Sequence, residues 1–520
     1  MLATDRKAIA YATVIALGGF LFGFDAAVIS GVVGFISPEF GLNDWQVGQV
    51  VGAPTLGAIL AALSVGPTAD YIGRKKMMLL LALLYTISAV ASALATDVTT
   101  LIAARFIGGL AFGTLMLAPI YIAEIAPARL RGRMVSINQL NIVLGFAAAY
   151  FANYYLLEAS QSNAAWVRKI GLDVHTWRWM LGLEALPAAS YLFFMLWVPE
   201  SPRWLVLQGK TAEARAIMQR IAPADQIQSL LDSIKNSAST TRLTLTARVK
   251  ELFQPQLRNV IIIGFIAGIS QQIVGINSVY FYAPSIFEQS GVGTNAAFAQ
   301  ATYVGIINVV FTVLAMVLID LIGRRPLMLL GLAGVVISMA ISSYGFSQAT
   351  YSLSDATLVT LSAESDIVGL DSLAGVTYHD DVSFKRALAT ALGDAEYRKH
   401  EALLIQNSTD MNPTIVLVGI LGFVASFAFS LGPVMWVLFS EIFPNRLRGF
   451  AMALMGVVNS SISYVVQLVF PWELSNLGSA WTFGLYGAAA GVCLVLIYWR
   501  LPETKGRSLE ELENELAQAT

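Results

Sequence analysis

The chain has 520 residues, 56% of them hydrophobic and only 13% charged, a balance that excludes an ordinary soluble protein and makes the bilayer its solvent. A formal net charge of −2 without any strongly basic tract argues against nucleic acid as a partner. The single cysteine, Cys493, can form no internal disulfide, and His175, His379 and His400 fall outside every apolar run and make no metal-ligand cluster.

Crossing the roughly 30 Å hydrocarbon layer takes about 20 mostly apolar residues in a helix. Arg6 and Lys7 precede an apolar stretch too long for a signal-peptide core and lacking a small-residue cleavage pattern, which reads as a retained first span. In chain order the candidate spans lie near 8–34, 48–68, 77–96, 100–122, 134–157 and 179–198, then near 259–284, 298–319, 326–346, 413–438, 449–471 and 480–500. These twelve form two sets of six around a polar stretch at 200–257. The expected organisation is an N-terminal bundle at 1–199, a linker at 200–257, a C-terminal bundle at 258–500 and a tail at 501–520. An even number of spans puts both termini on one side. Twenty-four Lys and Arg fall on that side against seven on the other, so both termini are expected in the cytoplasm.

The halves repeat one another. "ADYIGRKKM" (69–77) returns as "IDLIGRRPL" (319–327), and "YIAEIAPARLRG" (121–132) returns as "LFSEIFPNRLRG" (438–449). The second half holds extra residues between its two motifs. The polar stretch 347–412 accounts for them as an extracytoplasmic insertion, helical around 383–406. Asp70 and Arg74 sit at the turn between spans 2 and 3, and Asp320 and Arg324 at the turn between spans 8 and 9. Glu124 and Glu441 end spans 4 and 10, with Arg131 and Arg448 following. Carboxylates and guanidinium forks at helix ends suit bidentate pairing, and the duplicated set is expected to form a latch between the bundles on the cytoplasmic side.

With "GPTADYIGRKK", "PESPRWL" (199–205), "QQIVGIN" (271–277), "IDLIGRR", "GPVMWVLFSEIFPNRLRG" (432–449) and "PETKG" (502–506) in this order, the chain resembles the sugar porter family of the major facilitator superfamily, outside 347–412. The pattern is closest to bacterial proton-coupled, xylose-type symporters. The resemblance implies an all-α membrane protein: two pseudo-symmetric six-helix bundles rocking about a central sugar site, with short cytoplasmic helices from 200–257 and the tail. "GKTAEARAIMQRI" (209–221) independently has the apolar spacing of a short amphipathic helix.

A monosaccharide, hexose or pentose, must exchange its water for side-chain hydrogen bonds, and amides both donate and accept. Gln139, Gln271, Gln272, Asn277, Asn308 and Asn459 are the candidates near mid-membrane, with helix–helix adhesion the competing role. In an unbroken helix Asn277 would lie about 140° from Gln272, so they meet one ligand only if span 7 breaks, which Gly275 allows. Phe22 and Trp436 are the aromatic candidates for the apolar face of the ring. Where the family usually has paired tyrosines the run is Tyr280, Phe281, Tyr282, so one hydroxyl is missing, and Ser460 stands where it often has tryptophan; both touch the walls of the site.

Asp25 lies inside the first span, nine residues before Gly34, or about 14 Å from its outer end. Arg105, eight residues past Asp97, lies about 12 Å into span 4. Equal depth makes them partners, and an ionisable residue inside a span is a functional candidate. Glu184 on span 6 is a third candidate member. In the resembled family, proton-coupled members carry aspartate at the position of Asp25, whereas passive carriers typically have a neutral residue. The expectation is therefore proton-coupled symport at a bacterial inner membrane, by a monomer without cofactor. Sodium stays open as a coupling ion, as do a passive uniporter and, more remotely, a sugar receptor on a transporter fold. An enzyme is disfavoured: no metal cluster, phosphate-binding glycine loop or nucleophile–base pair stands out.

Overall fold

The computed structural model describes residues 3–507 except 128, 129, 223, 239–244, 366 and 445; residues 508–520 of the expected tail lie outside the described residues. Among the described residues, eleven helices are long and apolar enough to cross a membrane. The sixth of the twelve expected spans is missing from that set because it is interrupted at Glu184, between Thr176–Leu183 and Ala185–Met195. The remaining spans in chain order are span 1 (Ala3–Val28, extended by Ile29–Gly31), span 2 (Asp44–Ile72), span 3 (Arg74–Ala93), span 4 (Val98–Ala111 and Thr114–Ile125), span 5 (Arg131–Ser160), span 7 (Arg258–Ile273 and Ile276–Phe281), span 8 (Thr294–Ile322), span 9 (Arg324–Ser347), span 10 (Pro413–Phe429 and Leu431–Ile442), span 11 (Arg448–Asn476) and span 12 (Ser479–Arg500).

Local chemistry fixes where they start and stop. Asn43 and Gln46 form a reciprocal capping box at span 2, and Asp97 accepts from the backbone N–H groups of Thr99 and Thr100 at span 4. The 2–3 and 8–9 turns are the same turn twice, with Gly73 at φ 105° and Gly323 at φ 102°, a conformation open to glycine and strained for other residues. The interruptions repeat too. Span 4 breaks at Phe112–Gly113 and span 10 at Ser430, Gly113 and Ser430 each eleven residues ahead of the motif glutamates Glu124 and Glu441.

Where lipid gives no hydrophobic drive between helices, close backbone approach through small residues holds them together. Spans 1 and 5 show this reciprocally: a Cβ on Gly23 would lie 2.0 Å from the Ile142 carbonyl oxygen, and one on Gly145 2.1 Å from that of Phe20. One apolar core runs through the C-terminal bundle and continues into the half of the N-terminal bundle that ends span 1, joining Val28, Ile29 and Val32 to Tyr280, Ile286 and Phe287. A second core, with Tyr85, Tyr121 and Tyr191, fills the rest of the N-terminal bundle. The bundles are thus joined at the end where span 1 finishes, opposite the duplicated motifs at the 2–3 and 8–9 turns. The polar contacts between them agree: the amides of Gln161 and Asn295 exchange two hydrogen bonds of 2.9 and 2.8 Å, and the Tyr150 hydroxyl donates to the Tyr280 carbonyl at 2.6 Å.

Two smaller units flank the bundles. In the linker, Thr211–Ile221 buries Ala214, Met218 and Ile221 and packs with Leu205, Val206 and Leu231. The insertion has its own core around Phe384, Leu388 and Leu404. It contains the helices Asp355–Ser365, Asp381–Leu392 and Asp394–Ser408 and a three-stranded antiparallel sheet in the order β2–β1–β3, made by Thr350–Ser352 (β1), Thr377–Tyr378 (β2) and Thr409–Asp410 (β3). The helical expectation covered 383–406 alone. Asp381 caps span 12 through the Ser479 N–H and hydroxyl, and Arg398 donates to the Leu42 carbonyl of the N-terminal bundle.

Candidate functional site

Asp25 and Arg105 face one another in the middle of the N-terminal bundle. Arg105 Nη1 donates to Asp25 Oδ1 at 2.8 Å and Nη2 reaches the Asp25 carbonyl at 3.4 Å; the two residues are 1% and 2% exposed. Gly108 on span 4 leaves room for the acid, since a Cβ there would stand 3.0 Å from Asp25 Oδ2. Glu184, 3% exposed at the interruption of span 6, acts electrostatically on both. Asp25 Oδ2, Arg105 Nε and Glu184 Oε1 have no hydrogen-bond partner among the described residues. Asp25 alone bonds the guanidinium, and a second buried carboxyl group, that of Glu184, lies in the field of the pair without an ion pair to Arg105 among the described residues. Full ionisation would leave an unbalanced negative charge, which is costly to bury; one bound proton balances it.

The amides gather on the other side of the bundle interface. Span 7 breaks at Gly275, whose φ is +87°, and the break lets Asn277 Nδ2 donate to Gln272 Oε1 at 2.8 Å. Gln272 Nε2 donates to Asn459 Oδ1 at 3.1 Å, Asn459 Nδ2 to Gln271 Oε1 at 2.8 Å, and Gln271 Nε2 to the Leu431 carbonyl at 3.2 Å. Four of the six candidate amides are thus one connected network on spans 7 and 11, tied to the break in span 10. Gln139 is half-buried on span 5 and Asn308 is buried on span 8, where it accepts from Thr312 at 3.5 Å; neither belongs to the network. Phe22 packs edge-on against Phe112, with centroids 4.7 Å apart. Trp436 is 38% exposed and approaches Gly456, which also faces Met116 of the other bundle. Its ring therefore borders the cleft between bundles. Tyr280 packs on Phe146 at 4.9 Å, a contact between the bundles at the outer half of span 7.

The sequence profile of the family described as "Sugar (and other) transporter" matches residues 11–361 and 398–516. The chain belongs to this family. The stretch the profile passes over falls within the insertion. The arabinose-proton symporter of Bacillus subtilis (strain 168) is 34% identical over 499 residues, 96% of this chain and 92% of that one. The D-xylose-proton symporter of Escherichia coli (strain K12) is 33% identical, covering 96% and 93%. The inward-open structure of the E. coli xylose transporter XylE matches with a TM-score of 0.73 at 29% identity, covering 98% of this chain and 99% of that one.

In this transporter the duplicated motifs at the 2–3 and 8–9 turns pair within bundles; the structure, joined at the opposite end of the bundles, forms no latch between the two copies among the described residues. Arg74 bonds Asp70 at 2.7 Å and Glu124 at 3.2 Å; Arg324 bonds Asp320 at 3.2 Å and Glu441 at 2.8 Å. Each copy of the motif contains its own partners and closes on itself. Arg448 opens span 11 and donates to the Phe443 carbonyl at 3.4 Å, while the Arg131 side chain lies outside the described residues. Sequence reasoning missed the members that complete these networks. Glu200 accepts from the backbone N–H groups of Arg74 and Lys75, and Glu503 from those of Arg324 and Arg325. Each carboxylate sits at a helix N-terminus, where the exposed N–H groups favour negative charge. The available signal was "PES" (199–201) repeated as "PET" (502–504). Also missed were Ser463 and Gln467, which follow Asn459 at intervals of four on one helical face.

Proposed function

We propose that the transporter carries a monosaccharide, hexose or pentose, into the cell together with a proton, by alternating access between its two bundles. The observation that carries this reading is the buried Asp25–Arg105 pair with a second buried carboxyl group, Glu184, in its field. A proton arriving from outside on Asp25 neutralises the surplus charge and loosens the hold on Arg105. Sugar then binds across the interface, against the amides of Gln271, Gln272, Asn277 and Asn459 and the ring of Trp436, with Gln139, Asn308 and Phe22 on the walls. The loaded bundles rock, and proton and sugar leave inside. Deprotonation restores the Asp25–Arg105 pair and resets the empty carrier. One proton moving down 100 mV supplies about 2.3 kcal/mol, enough for about fiftyfold accumulation. Symporters of pentoses among relatives of full length support the substrate class. The asymmetry of Lys and Arg supports cytoplasmic termini in a bacterial inner membrane, and the reading needs only one chain.

The test is Asp25→Asn in proteoliposomes. Uphill uptake and sugar-evoked alkalinisation should vanish while counterflow exchange survives. Persistent uphill uptake would refute the coupling role and leave passive carriage. A competition panel of hexoses and pentoses, with and without a protonophore, assigns the sugar.

A further inference from the structure

The proton cluster and the amide network sit on opposite bundles, so coupling needs something that joins them. Thr55 of span 2, buried at the interface, donates from Oγ1 to Gln467 Oε1 of span 11 at 3.0 Å. Gln467 is fully buried, and its Nε2 donates to Ser463 Oγ at 2.6 Å. Ser463 Oγ also accepts from Asn277 Nδ2 at 2.5 Å, and the same Asn277 nitrogen reaches Gln272. The chain of hydrogen bonds therefore runs without a gap from span 2 into the amides that meet the sugar. At its other end Thr55 lines a cavity of about 10 Å³ together with Arg105, Ala26, Pro54, Phe112 and Phe281, about the space of a single water.

We propose that Thr55 and Gln467 are the positioning residues through which protonation of the Asp25–Arg105–Glu184 cluster is transmitted to the sugar site. The proposal rests on the symport reading above and adds the route. The proton settles on a carboxyl oxygen and no covalent bond is made or broken beyond that O–H. A guanidinium released from a neutralised acid needs replacement acceptors, and Thr55 is the residue besides Arg105 with a polar side chain among those that line the cavity. A Thr55 hydroxyl engaged as acceptor from Arg105, directly or through a water, keeps its own hydrogen directed at Gln467. Gln467 in turn holds Ser463, and Ser463 sets the Asn277 amide just beyond the Gly275 break. Tyr282 braces the same point by donating to the Gln467 carbonyl at 3.2 Å. Because Thr55 and Gln467 lie on different bundles, their bond also reports whether the external half is closed. Proton state, sugar site and bundle closure thus meet at one hydrogen bond.

The experiment uses the full chain in proteoliposomes under an imposed potential of about −100 mV and compares wild type with Thr55→Val, Thr55→Ser and Gln467→Met. Valine keeps the shape of threonine and removes the hydroxyl. Thr55→Val should still exchange sugar by counterflow, while accumulation falls from about fiftyfold to below fivefold and protons taken up per sugar drop correspondingly. Thr55→Ser should restore both. Gln467→Met should reproduce the valine defect, and the double variant should be no worse than either single, since both remove the same link. A merely structural role would lower the exchange rate and leave the proton-to-sugar ratio intact. Full accumulation in Thr55→Val, or in Gln467→Met should the valine protein fail to reach the membrane, overturns the proposal and leaves symport standing. A wild type that takes up no protons refutes the symport reading itself.

Discussion

Replacing Gly275 with alanine tests the break in span 7 on which the amide network depends. An L-residue held at φ +87° is strained by about 1–2 kcal/mol. The added Cβ would stand 2.5 Å from Cδ2 of Tyr486 and 2.9 Å from its Cγ, closer than packed carbon atoms come. The ring is not free to yield: its hydroxyl donates to Glu473 at 2.7 Å and lies 3.4 Å from Ser278 Oγ. Losing the first of those bonds costs roughly 1 kcal/mol more. The alternative relaxation, straightening the helix, swings Asn277 about 140° away from Gln272. Either route puts the penalty near 3 kcal/mol, equivalent to about a hundredfold in a binding constant. Counterflow KM measured over a wide sugar range should rise by one to two orders of magnitude in Gly275→Ala. Gly34→Ala, where a Cβ meets nothing within 4 Å, serves as the control and should leave KM unchanged. A Gly275→Ala protein with wild-type KM and thermal stability would show that neither the positive φ nor the contact with Tyr486 shapes the site.

Glu288, just beyond span 7, is pushed up to about 7 from an ordinary value of 4.5, mainly by burial, against a hydrogen bond with Thr294 and with the Glu401 charge adding to the rise. A carboxyl whose folded pKa is raised favours the docked insertion at low pH, and that advantage fades as pH climbs from 4.5 to about 7, by roughly 3 kcal/mol at most. The apparent melting temperature should fall between pH 5 and 8 in wild type and fall less in Glu288→Gln; equal slopes refute the assignment. Arg105→Met leaves Asp25 buried without its cation and should destabilise the protein by about 3–5 kcal/mol. Adding Asn at 25 should recover most of this, which thermal denaturation of the double variant checks, although neither form should accumulate sugar.

The Asp25–Arg105 geometry was legible because depth along a membrane helix is a simple count of residues from its end, and these two charges lie at matching depth. The twelvefold organisation and its repeat were legible from hydropathy and duplicated motifs. What stayed hidden has physical reasons. Span 6 is interrupted at Glu184 because Pro187 offers no N–H to the Leu183 carbonyl, and a hydropathy window cannot register a break that leaves the composition apolar. The strands of the insertion are two or three residues long, too short for an alternating pattern to form. Thr55 and Gln467 are one hydroxyl and one amide 412 positions apart, and only the packing of one bundle on the other brings them together. The pairing inside each copy was legible in the repeat itself: each motif was duplicated together with partners that satisfy it internally.

Pairing within bundles bears on how the carrier can move. The Arg105–Asp25 and Arg74–Glu124 pairs are buried inside one bundle, where separation of the charges would leave buried groups unpaired at a cost of several kcal/mol; the Arg74–Asp70 and Arg324 pairs also lie within one bundle, with more exposed carboxylates. Contacts across the interface include the neutral hydrogen bonds Thr55–Gln467, Gln161–Asn295 and Tyr150–Tyr280. Such bonds contribute about 1 kcal/mol each, and in a membrane closer to 0.6. A carrier must open a different face of its interface in each half of the cycle, and a proton worth about 2.3 kcal/mol per 100 mV can tip a balance of that size. It could not repeatedly break a set of buried salt bridges. Buried charge pairs that hold each bundle together, with mainly neutral bonds between bundles beside the Arg398–Leu42 contact of the insertion, are therefore the distribution that lets one proton and one sugar decide which side is open.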